Sequence, residues 1–176
     1  ALLQAAQALR DGRIVAIKGI GGFHLCCNAK DPAPVRLLRQ RKHRPTKPVA
    51  VMTAAWHVRP EADRLLRSSQ APIVLVEHRG LLPDEIAPGN PFLGLMSPYS
   101  PLHALLLDEF QGPIVATSGN LTDEPLCIDE HEALQRLHGI ADLFLVHDRP
   151  ILRPVDDSIV RFIDGQPVLL RRARGY

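Results

Sequence analysis

The chain has 176 residues, of which 45% are hydrophobic and 23% are charged, and its net charge is +2. The hydrophobic content excludes a disordered chain, and the length suffices for the buried core of one globular domain. No apolar run approaches the ~18 residues of a membrane-spanning helix, and the small net charge does not by itself predict a polyanionic partner.

Local sequence patterns predict helices that alternate with strands. In chain order they predict a helix over 1–11, strands over 13–17 and 23–27, a helix from 31 to about 42, a strand over 49–52, a helix over 61–69, a strand over 72–77, a proline-rich loop over 80–91, a strand over 93–96, a helix over 100–110, a strand over 113–116, a helix over 129–138, and strands over 143–146, 158–163 and 167–170. Between the last two strands, Asp164-Gly165 predicts a type I′ hairpin. The predicted fold class is α/β (α+β), with a twisted mixed sheet and helices packed on it.

The three cysteines, Cys26, Cys27 and Cys127, are too few for a disulfide framework. Cys26 and Cys27 are adjacent, so they lack the C-x-x-C spacing of a zinc or redox site. We therefore expect buried free thiols in a reducing, cytoplasmic compartment. The first residues carry no initiator Met and no signal-type stretch, so we expect residues 1–176 to be a single domain of a longer, multidomain cytoplasmic protein.

Positive charge is concentrated in two stretches. The chain has no acidic residue between Asp31 and Glu61, and none after Asp164. The basic residues of these stretches are Arg36, Arg39, Arg41, Lys42, Arg44, Lys47 and Arg59, followed by Arg171, Arg172 and Arg174. They predict either solvated surface or an anion site for phosphate or nucleic acid.

A glycine-rich segment, Lys18-Gly19-Ile20-Gly21-Gly22, follows the first predicted strand. It matches neither the phosphate loop of nucleotide hydrolases nor the dinucleotide fingerprint, because His24 stands at the third glycine position and a strand follows. Glycines so closely spaced indicate a close approach of the backbone to a ligand or, equally, a tight turn between strands.

Three further groups of polar residues are candidates for a site. Residues 41–48 place several cations at a helix end, where the helix dipole alone favours them, and two prolines stiffen the exit. Thr117-Ser118-Gly119-Asn120 follows a strand, where ligands bind in open α/β sheets, although these residues also favour a plain turn. Asp156 and Asp157 are suited to hold Mg²⁺ through water, but a salt bridge to Arg153 is the simpler interpretation.

Together these segments resemble the YrdC-like domain family, in the version found within the HypF carbamoyltransferases of hydrogenase maturation. The K-x-R and S-x-N signatures of the family fall on Lys42-x-Arg44 and Ser118-x-Asn120. The resemblance covers nearly the whole chain and implies one YrdC-like domain with an open, concave, basic cavity. The matching stretches are KGIGGFHL (18–25), LRQRKHRPTKPVAVM (38–52), ATSGNLTDEP (116–125), GIADLFLVHDRPI (139–151), DDSIVR (156–161) and RRARGY (171–176).

The loop at 18–25 departs from the loop of the threonylcarbamoyl-adenylate synthases in the same family. Gly19 and Gly21 stand where those proteins carry two threonines, and Lys18 stands at their proline position. Losing two hydroxyls removes donors that could read a threonine side chain. We therefore expect an acceptor smaller than threonine, in agreement with the HypF version.

The resemblance implies ATP-dependent carbamoyl adenylation: carbamate from carbamoyl phosphate reacts with ATP to give carbamoyl-AMP and pyrophosphate, with ATP and Mg²⁺ as the implied cofactors. It also implies that other HypF domains supply the carbamate and that the carbamoyl group passes to the C-terminal cysteine of HypE, on the way to the cyanide ligand of nickel–iron hydrogenase. Threonylcarbamoyl-AMP synthesis for tRNA modification and RNA binding are the alternatives. No membrane partner is expected.

The resemblance further implies roles for individual residues. Lys18 is expected at the carbamate or α-phosphate, Phe23 against the adenosine or at the acceptor pocket, and His24 beside the loop. The residues expected to take part in catalysis are Lys18, Lys42, Arg44 and Ser118. The residues expected to bind the nucleotide and its phosphates are Gly19, Phe23, His24, Arg41, Lys42, Arg44, Lys47, Ser118, Asn120, Ser158, Arg172 and Arg174. Asp156 and Asp157 are the residues expected to face Mg²⁺.

Overall fold

The computed structural model describes residues 1–78, 80–122 and 124–176, so that Asp123 of the matching stretch 116–125 lies outside the described residues. The helices are α1 (Leu2–Arg10), α2 (Pro32–Arg41), α3 (Pro60–Leu66), α4 (Pro101–Phe110) and α5 (Glu130–Leu137). The strands are β1 (Val15–Lys18), β2 (Phe23–Asn28), β3 (Ala50–Met52), β4 (Ile73–Glu77), β5 (Phe92–Met96), β6 (Ile114–Ser118), β7 (Leu143–Leu145), β8 (Ile159–Ile163) and β9 (Gln166–Arg171). The predicted elements are confirmed in their order with small shifts of their ends, and a short 3₁₀ turn, Asp84–Ile86, lies within the predicted loop.

The described strands form one mixed sheet in the order β7-β1-β2-β6-β3-β5-β4-β8-β9. The pairs β1–β7, β3–β5 and β4–β8 are parallel, and the other neighbours are antiparallel. Asp164 and Gly165 between β8 and β9 have φ angles of 49° and 77°, and a type I′ turn requires both to be positive. The predicted mixed sheet and its terminal hairpin are therefore confirmed.

Side-chain caps start three of the helices at the predicted positions. Asp31, Ser100 and Asp129 each accept hydrogen bonds from backbone N–H groups two or three residues further on. Such a cap stabilises a helix by about 1 kcal/mol. Pro32 and Pro101 follow two of the caps, where a helix needs no N–H donor.

Helices cover the two faces of the sheet unequally. On one face, α2, α3 and α5 bury a core that contains Phe23 and Leu25. On the opposite face, α1 and α4 pack together and bury a second core that contains Ile17, Cys26 and Ile114. The second core includes Met52 of β3 and Met96 of β5, but neither helix covers the part of this face around Ala50, Gly94 and Leu75, which stays open.

The three cysteines are buried free thiols, as predicted. Burial raises the pKa of the Cys26 and Cys127 thiols, which keeps them protonated and unreactive at neutral pH. Among the described residues, none of the helices has the length and the apolar character needed to cross a membrane.

Candidate functional site

A cavity of about 1120 Å³ opens on the uncovered part of the sheet. Its walls come from residues 42–48, the neighbouring ends of β2 and β6, the loop 88–91 and the β8–β9 hairpin. This is the open, concave and basic cavity that the resemblance implied. The charged side chains on its walls are the basic Lys42, Arg44, Lys47, Arg161 and Arg171 and the acidic Asp156 and Asp157.

The cavity floor is a row of residues that face each other across neighbouring strands. Ala116 of β6 pairs with Ala50 of β3, and Ala50 pairs with Gly94 of β5. The row continues through Leu75 of β4 to Arg161 of β8. Cross-strand partners point to the same face of a sheet, so the small residues in the middle of the row leave a hollow between larger ones.

Lys42 caps the C-terminal end of α2 and enters the cavity wall. Its Nζ donates to the Ser118 carbonyl at 2.5 Å and to the Asn120 carbonyl and Oδ1 at 2.6 and 2.9 Å. Burial, followed by the positive charge of Arg44, lowers the pKa of Lys42 to about 7. An anion in the cavity would therefore change the protonation of Lys42 near neutral pH.

Arg44 and Lys47 extend the cationic wall. The Arg44 guanidinium donates to the Pro48 carbonyl at 2.6 Å and to Thr117 Oγ1 at 3.3 Å, and Lys47 is exposed. Among the described residues, no carboxylate lies within ion-pair distance of Lys42, Arg44 or Lys47. Arg44 and Lys47, joined by Lys42 when its amine is protonated, create a positive potential that favours an anionic ligand.

Ser118 and Asn120 lie opposite these cations at the end of β6. Ser118 Oγ donates to Asn120 Oδ1 at 2.7 Å, and Asn120 Nδ2 donates to the Glu124 carbonyl at 2.7 Å. Both residues line the cavity. The pair therefore forms a fixed polar edge joined to Lys42 by direct hydrogen bonds.

A second polar group stands where β2 meets the C-terminal segment. Asp157 Oδ1 lies 2.8 Å from Arg174 Nη2, and its Oδ2 lies 3.5 Å from His24 Nε2. The Arg174 guanidinium stacks 3.9 Å from the centroid of the Tyr99 ring. Burial alone would raise the pKa of Asp157, but hydrogen bonds to His24 and Arg174 and the electrostatic interactions with these two residues lower it to about 2.

The two aspartates differ in their suitability for Mg²⁺. Both Asp157 oxygens face Arg174 and His24, so Asp157 does not fit a metal ligand. Its salt-bridge partner is Arg174 and not the exposed Arg153 that the sequence suggested. Asp156 is exposed on the cavity wall and is the aspartate that fits a magnesium–nucleotide complex. Within the described part of the chain, no group of three or more His, Cys, Asp or Glu residues is arranged to hold a metal.

The cavity wall brings together only part of the expected site. His24, Lys42, Arg44, Lys47, Ser118, Asn120, Asp156 and Asp157 line it. Lys18, Gly19, Phe23, Arg41, Ser158, Arg172 and Arg174 do not. The contacts that the second group makes differ from residue to residue.

Lys18 and Phe23 are cross-strand partners that point away from the cavity. Phe23 is fully buried in the core under α2 and α5. Lys18 is 1% exposed, and its Nζ donates to Glu130 Oε2 at 2.8 Å and to the His147 carbonyl at 3.0 Å. Lys18 and Phe23 therefore lie on the face of the sheet opposite the cavity, and their contacts with the substrates stay a prediction.

Arg41 and Gly19 contact other parts of the molecule. Arg41 Nη1 donates to Asp142 Oδ1 at 2.7 Å and to the Ile140 carbonyl at 2.9 Å, which turns the guanidinium away from Lys42. Gly19 lines a smaller hollow of about 220 Å³. Neither Arg41 nor Gly19 lines the larger cavity, and their contacts with a nucleotide stay a prediction.

The expected residues near the C-terminus fasten the chain instead of lining the cavity. Ser158 Oγ donates to the Arg174 carbonyl at 2.9 Å and accepts from the Ala173 N–H at 2.8 Å. Arg174 binds Asp157 and the Ala71 carbonyl. Arg172 is exposed beyond the end of β9.

Sequence reasoning missed a pair at the far end of the cavity. The Arg161 guanidinium stacks 3.9 Å from the centroid of the Phe92 ring, and both residues line the cavity. Arg161 Nε is buried and has no hydrogen-bond partner among the described residues. The only signal in the sequence was a charged residue within the apolar strand 159–163.

Comparisons with known proteins agree with the fold described above. The Sua5/YciO/YrdC family model, described as "Telomere recombination", matches residues 7–173. A Synechocystis protein named "Carbamoyltransferase HypF" is 54% identical over 100% of this chain and 24% of its own length. A "Threonylcarbamoyl-AMP synthase" of Cellvibrio japonicus is 30% identical over 78% of this chain and 79% of its own length. A crystal structure of full-length HypF, in a phosphate- and nucleotide-bound form, matches with a TM-score of 0.95 and 48% identity over 99% of this chain and 29% of that one.

The chain spans about a quarter of the length of the HypF proteins that it matches. The family match extends over nearly all of its residues, and the agreement of the fold is equally extensive. The signature residues Lys42, Arg44, Ser118 and Asn120 meet on one cavity wall. The chain therefore belongs to the Sua5/YciO/YrdC family.

Proposed function

We propose that the cavity binds ATP and that the domain catalyses carbamoyl adenylation, in which carbamate and ATP give carbamoyl-AMP and pyrophosphate. The observation that carries this proposal is the wall of Lys42, Arg44 and Lys47, which no described carboxylate neutralises. A polyphosphate needs several fixed cations, because each charge-assisted hydrogen bond contributes only about 1.5–3 kcal/mol. The phosphate- and nucleotide-bound HypF structure supports this use of the fold.

The reaction joins a carbamate oxygen to the α-phosphorus of ATP. As this bond forms, the bond from the α-phosphorus to the oxygen that bridges to the β-phosphorus breaks, and pyrophosphate leaves with the electron pair. Carbamate is already an oxyanion, so the step needs no general base. The protein must align two anions and neutralise the leaving group. We assign neutralisation to the three cations of the wall and alignment to Ser118 and Asn120.

The far end of the cavity suits the nucleoside. Four strand spacings of about 4.8 Å separate Ala116 from Arg161, so the floor is roughly 19 Å long. An extended nucleoside triphosphate fits along such a floor. The Arg161 guanidinium, stacked on Phe92, offers a planar face on which a base can stack. We therefore place the phosphates near Lys42 and the base near Arg161.

The glycine-rich loop supports a small acceptor. A Cβ atom on Gly21 would lie 2.6 Å from the Val155 carbonyl oxygen, and one on Gly22 would collide with Leu126. This tightly packed loop presents no hydroxyl to an acceptor side chain. Carbamate, which has no side chain, is compatible with such a loop, whereas threonine would lose hydrogen bonds. Threonylcarbamoyl-AMP synthesis, the activity named for the relative from Cellvibrio japonicus, is the second candidate.

We further propose that the domain performs one step of the carbamoyl transfer carried out by a HypF-type protein. In this scheme other HypF domains release the carbamate from carbamoyl phosphate, and the carbamoyl group passes on to the C-terminal cysteine of HypE. ATP acts as its complex with Mg²⁺, which Asp156 would face. The names of the relatives support this scheme.

The proposal is tested by titrating the 176-residue chain with ATP and Mg²⁺ in a calorimeter, with and without bicarbonate plus ammonium as the carbamate source. We expect saturable one-to-one binding that carbamate strengthens, accompanied by pyrophosphate release. Lys42→Met should weaken ATP binding by about tenfold or more, whereas Lys30→Met on the exposed surface should not. Pyrophosphate release that requires threonine would favour the second candidate. Absence of ATP binding in both this chain and the full-length protein would refute the proposal.

A further inference from the structure

The segment that carries Arg44 and Lys47 belongs to no helix or strand. Its prolines, Pro45 and Pro48, have no N–H to donate, so backbone hydrogen bonds can fix it only in part. The segment nevertheless has to hold two cations in defined directions if it is to bind a polyphosphate. This requirement rests on the proposed function and raises the question of what holds 44–48 in place.

A single buried side chain, Arg39 on α2, binds this segment on the side that faces away from the cavity. Only 7% of Arg39 is exposed, and its three guanidinium nitrogens all donate to carbonyl oxygens. The distances range from 2.5 to 3.2 Å. The acceptors are Arg44, Pro45 and Lys47 in the cationic segment and Glu85 and Ile86 in the 3₁₀ turn.

These contacts are unusual for a buried guanidinium, because none of them goes to a carboxylate. The Glu85 carboxylate is bound to Arg36 instead, at 2.5 Å. A buried cation is costly unless hydrogen bonds satisfy its donors. Here the carbonyls of two separate segments converge on a planar fork of five N–H groups, which only arginine provides.

The contacts also explain the direction of the cationic side chains. Arg39 turns the carbonyls of Arg44 and Lys47 inward, and both side chains of these residues line the cavity on the outer side. The Val49 N–H donates to the Ile86 carbonyl at 3.0 Å, so the segment is tied to the same turn at its far end. Arg39 thereby joins α2, the 3₁₀ turn and the cationic segment.

We propose that Arg39 is a positioning residue for the phosphate-binding cations: its buried guanidinium holds the carbonyls of 44–47 so that Arg44 and Lys47 face the leaving pyrophosphate. Arg39 itself does not line the cavity, so a ligand bound there would not contact it directly. Its effect should be confined to the phosphate end of the ligand.

The test compares Arg39→Lys with Arg36→Lys, a matched exchange on the exposed side of the same helix. Calorimetry with pyrophosphate and with adenosine separates the two ends of the site. Arg39→Lys should weaken pyrophosphate binding by about tenfold or more and leave adenosine binding within about twofold. Hydrogen exchange of the amides in 43–49 should become about tenfold faster or more in this variant. Arg36→Lys should change none of these quantities.

The proposal would be overturned if Arg39→Lys only lowered the stability of the protein and weakened the binding of adenosine and pyrophosphate equally. It would also be overturned if hydrogen exchange of the amides in 43–49 were unchanged in this variant. If the wild type binds neither ATP nor pyrophosphate, the proposed function fails, while the exchange comparison still decides whether Arg39 holds the segment. If Arg39→Lys does not fold, NMR spectra of the wild-type protein test the positioning role instead. Its Arg39 Nη resonances should be separate because rotation is hindered, and they should shift when pyrophosphate is added. A single averaged resonance that does not respond to pyrophosphate would contradict the positioning role.

Discussion

Arg174 and Asp157 form an ion pair of 2.8 Å that fastens the C-terminal segment beside the cavity. Both side chains are only 15% exposed. The second oxygen of the carboxylate faces His24 on β2. One buried carboxylate therefore joins the start of β8, the C-terminal segment and β2, so its ionisation contributes to the stability of this cavity wall.

We predict that this ion pair makes part of the stability sensitive to acid. The pKa of Asp157 is about 2 in the folded protein and ~3.9 in an unfolded chain. The ionised carboxylate therefore adds stability above about pH 4, which is lost as the pH falls through about 2 and amounts to about 3 kcal/mol. Urea unfolding at several pH values measures this contribution to the free energy of unfolding.

The comparison uses Asp157→Asn, with the exposed Asp148→Asn as the control. At neutral pH, Asp157→Asn should lower the free energy of unfolding by roughly 3 kcal/mol, because Arg174 is left unpaired. The difference from the wild type should shrink between about pH 5 and about pH 2. A difference that is the same at every pH would show that the carboxylate charge is not the cause.

ATP binding should be accompanied by uptake of a proton. The pKa of Lys42 is about 7, so at about pH 8 most of its amine is neutral in the empty cavity. A phosphate beside Nζ favours the charged form. Calorimetry at this pH in two buffers of different ionisation enthalpy should show net uptake in the wild type and in Lys47→Arg. Lys42→Arg should show none, because arginine stays protonated; the same uptake in that variant would place the titrating group elsewhere.

Much of the fold could be predicted because its signals are local. Asp31 and Ser100 bind N–H groups two or three residues away, and Asp164-Gly165 sets its own turn. Such interactions need no knowledge of the rest of the chain. Hydrophobic periodicity then supplied the remaining helices and strands.

The candidate site could be predicted only in part, because the face on which a strand residue lies depends on distant partners. All four residues of β1 are buried, so no alternation shows where Lys18 points. Its partner Glu130 is 112 residues further along the chain. In the same way, Arg161 meets Phe92 only because β4 lies between their strands.

Removing the Ser118 hydroxyl should weaken nucleotide binding without unfolding the protein. Ser118 Oγ donates to Asn120 Oδ1 at 2.7 Å, and the same Oδ1 accepts from Lys42 at 2.9 Å. Ser118→Ala removes one of these two hydrogen bonds to Asn120 and leaves the Asn120 side chain less firmly fixed, so the dissociation constant of ATP should rise by about tenfold. The exposed Ser69→Ala is the control, and both variants are measured by calorimetry. Equal ATP affinity in wild type and Ser118→Ala would remove Ser118 from the site.

A methyl group at Gly119 should disturb the core and the site together. A Cβ atom there would lie 2.5 Å from Phe23 Cβ and 2.7 Å from the Phe23 carbonyl oxygen. Because the contact involves backbone, Gly119→Ala should lower the free energy of unfolding by about 1–3 kcal/mol. Gly139→Ala, where nothing lies within 4 Å of the added atom, should change it by less than about 0.5 kcal/mol. Urea denaturation compares the two, and equal stability would mean that β2 and β6 can move apart.

Changing the aromatic ring at the far end of the cavity should weaken the binding of ATP but not of pyrophosphate. Phe92→Leu keeps an apolar side chain in the wall but removes the ring that supports the Arg161 guanidinium. Stacking of a base on an aromatic or guanidinium face contributes about 1–3 kcal/mol, so the ATP dissociation constant should rise by about tenfold. Arg44→Gln is the complementary variant, because it should weaken both ligands. Equal weakening of ATP and pyrophosphate by Phe92→Leu would mean that the base does not lie beside Arg161, and the nucleotide would have to be turned around or moved along the floor.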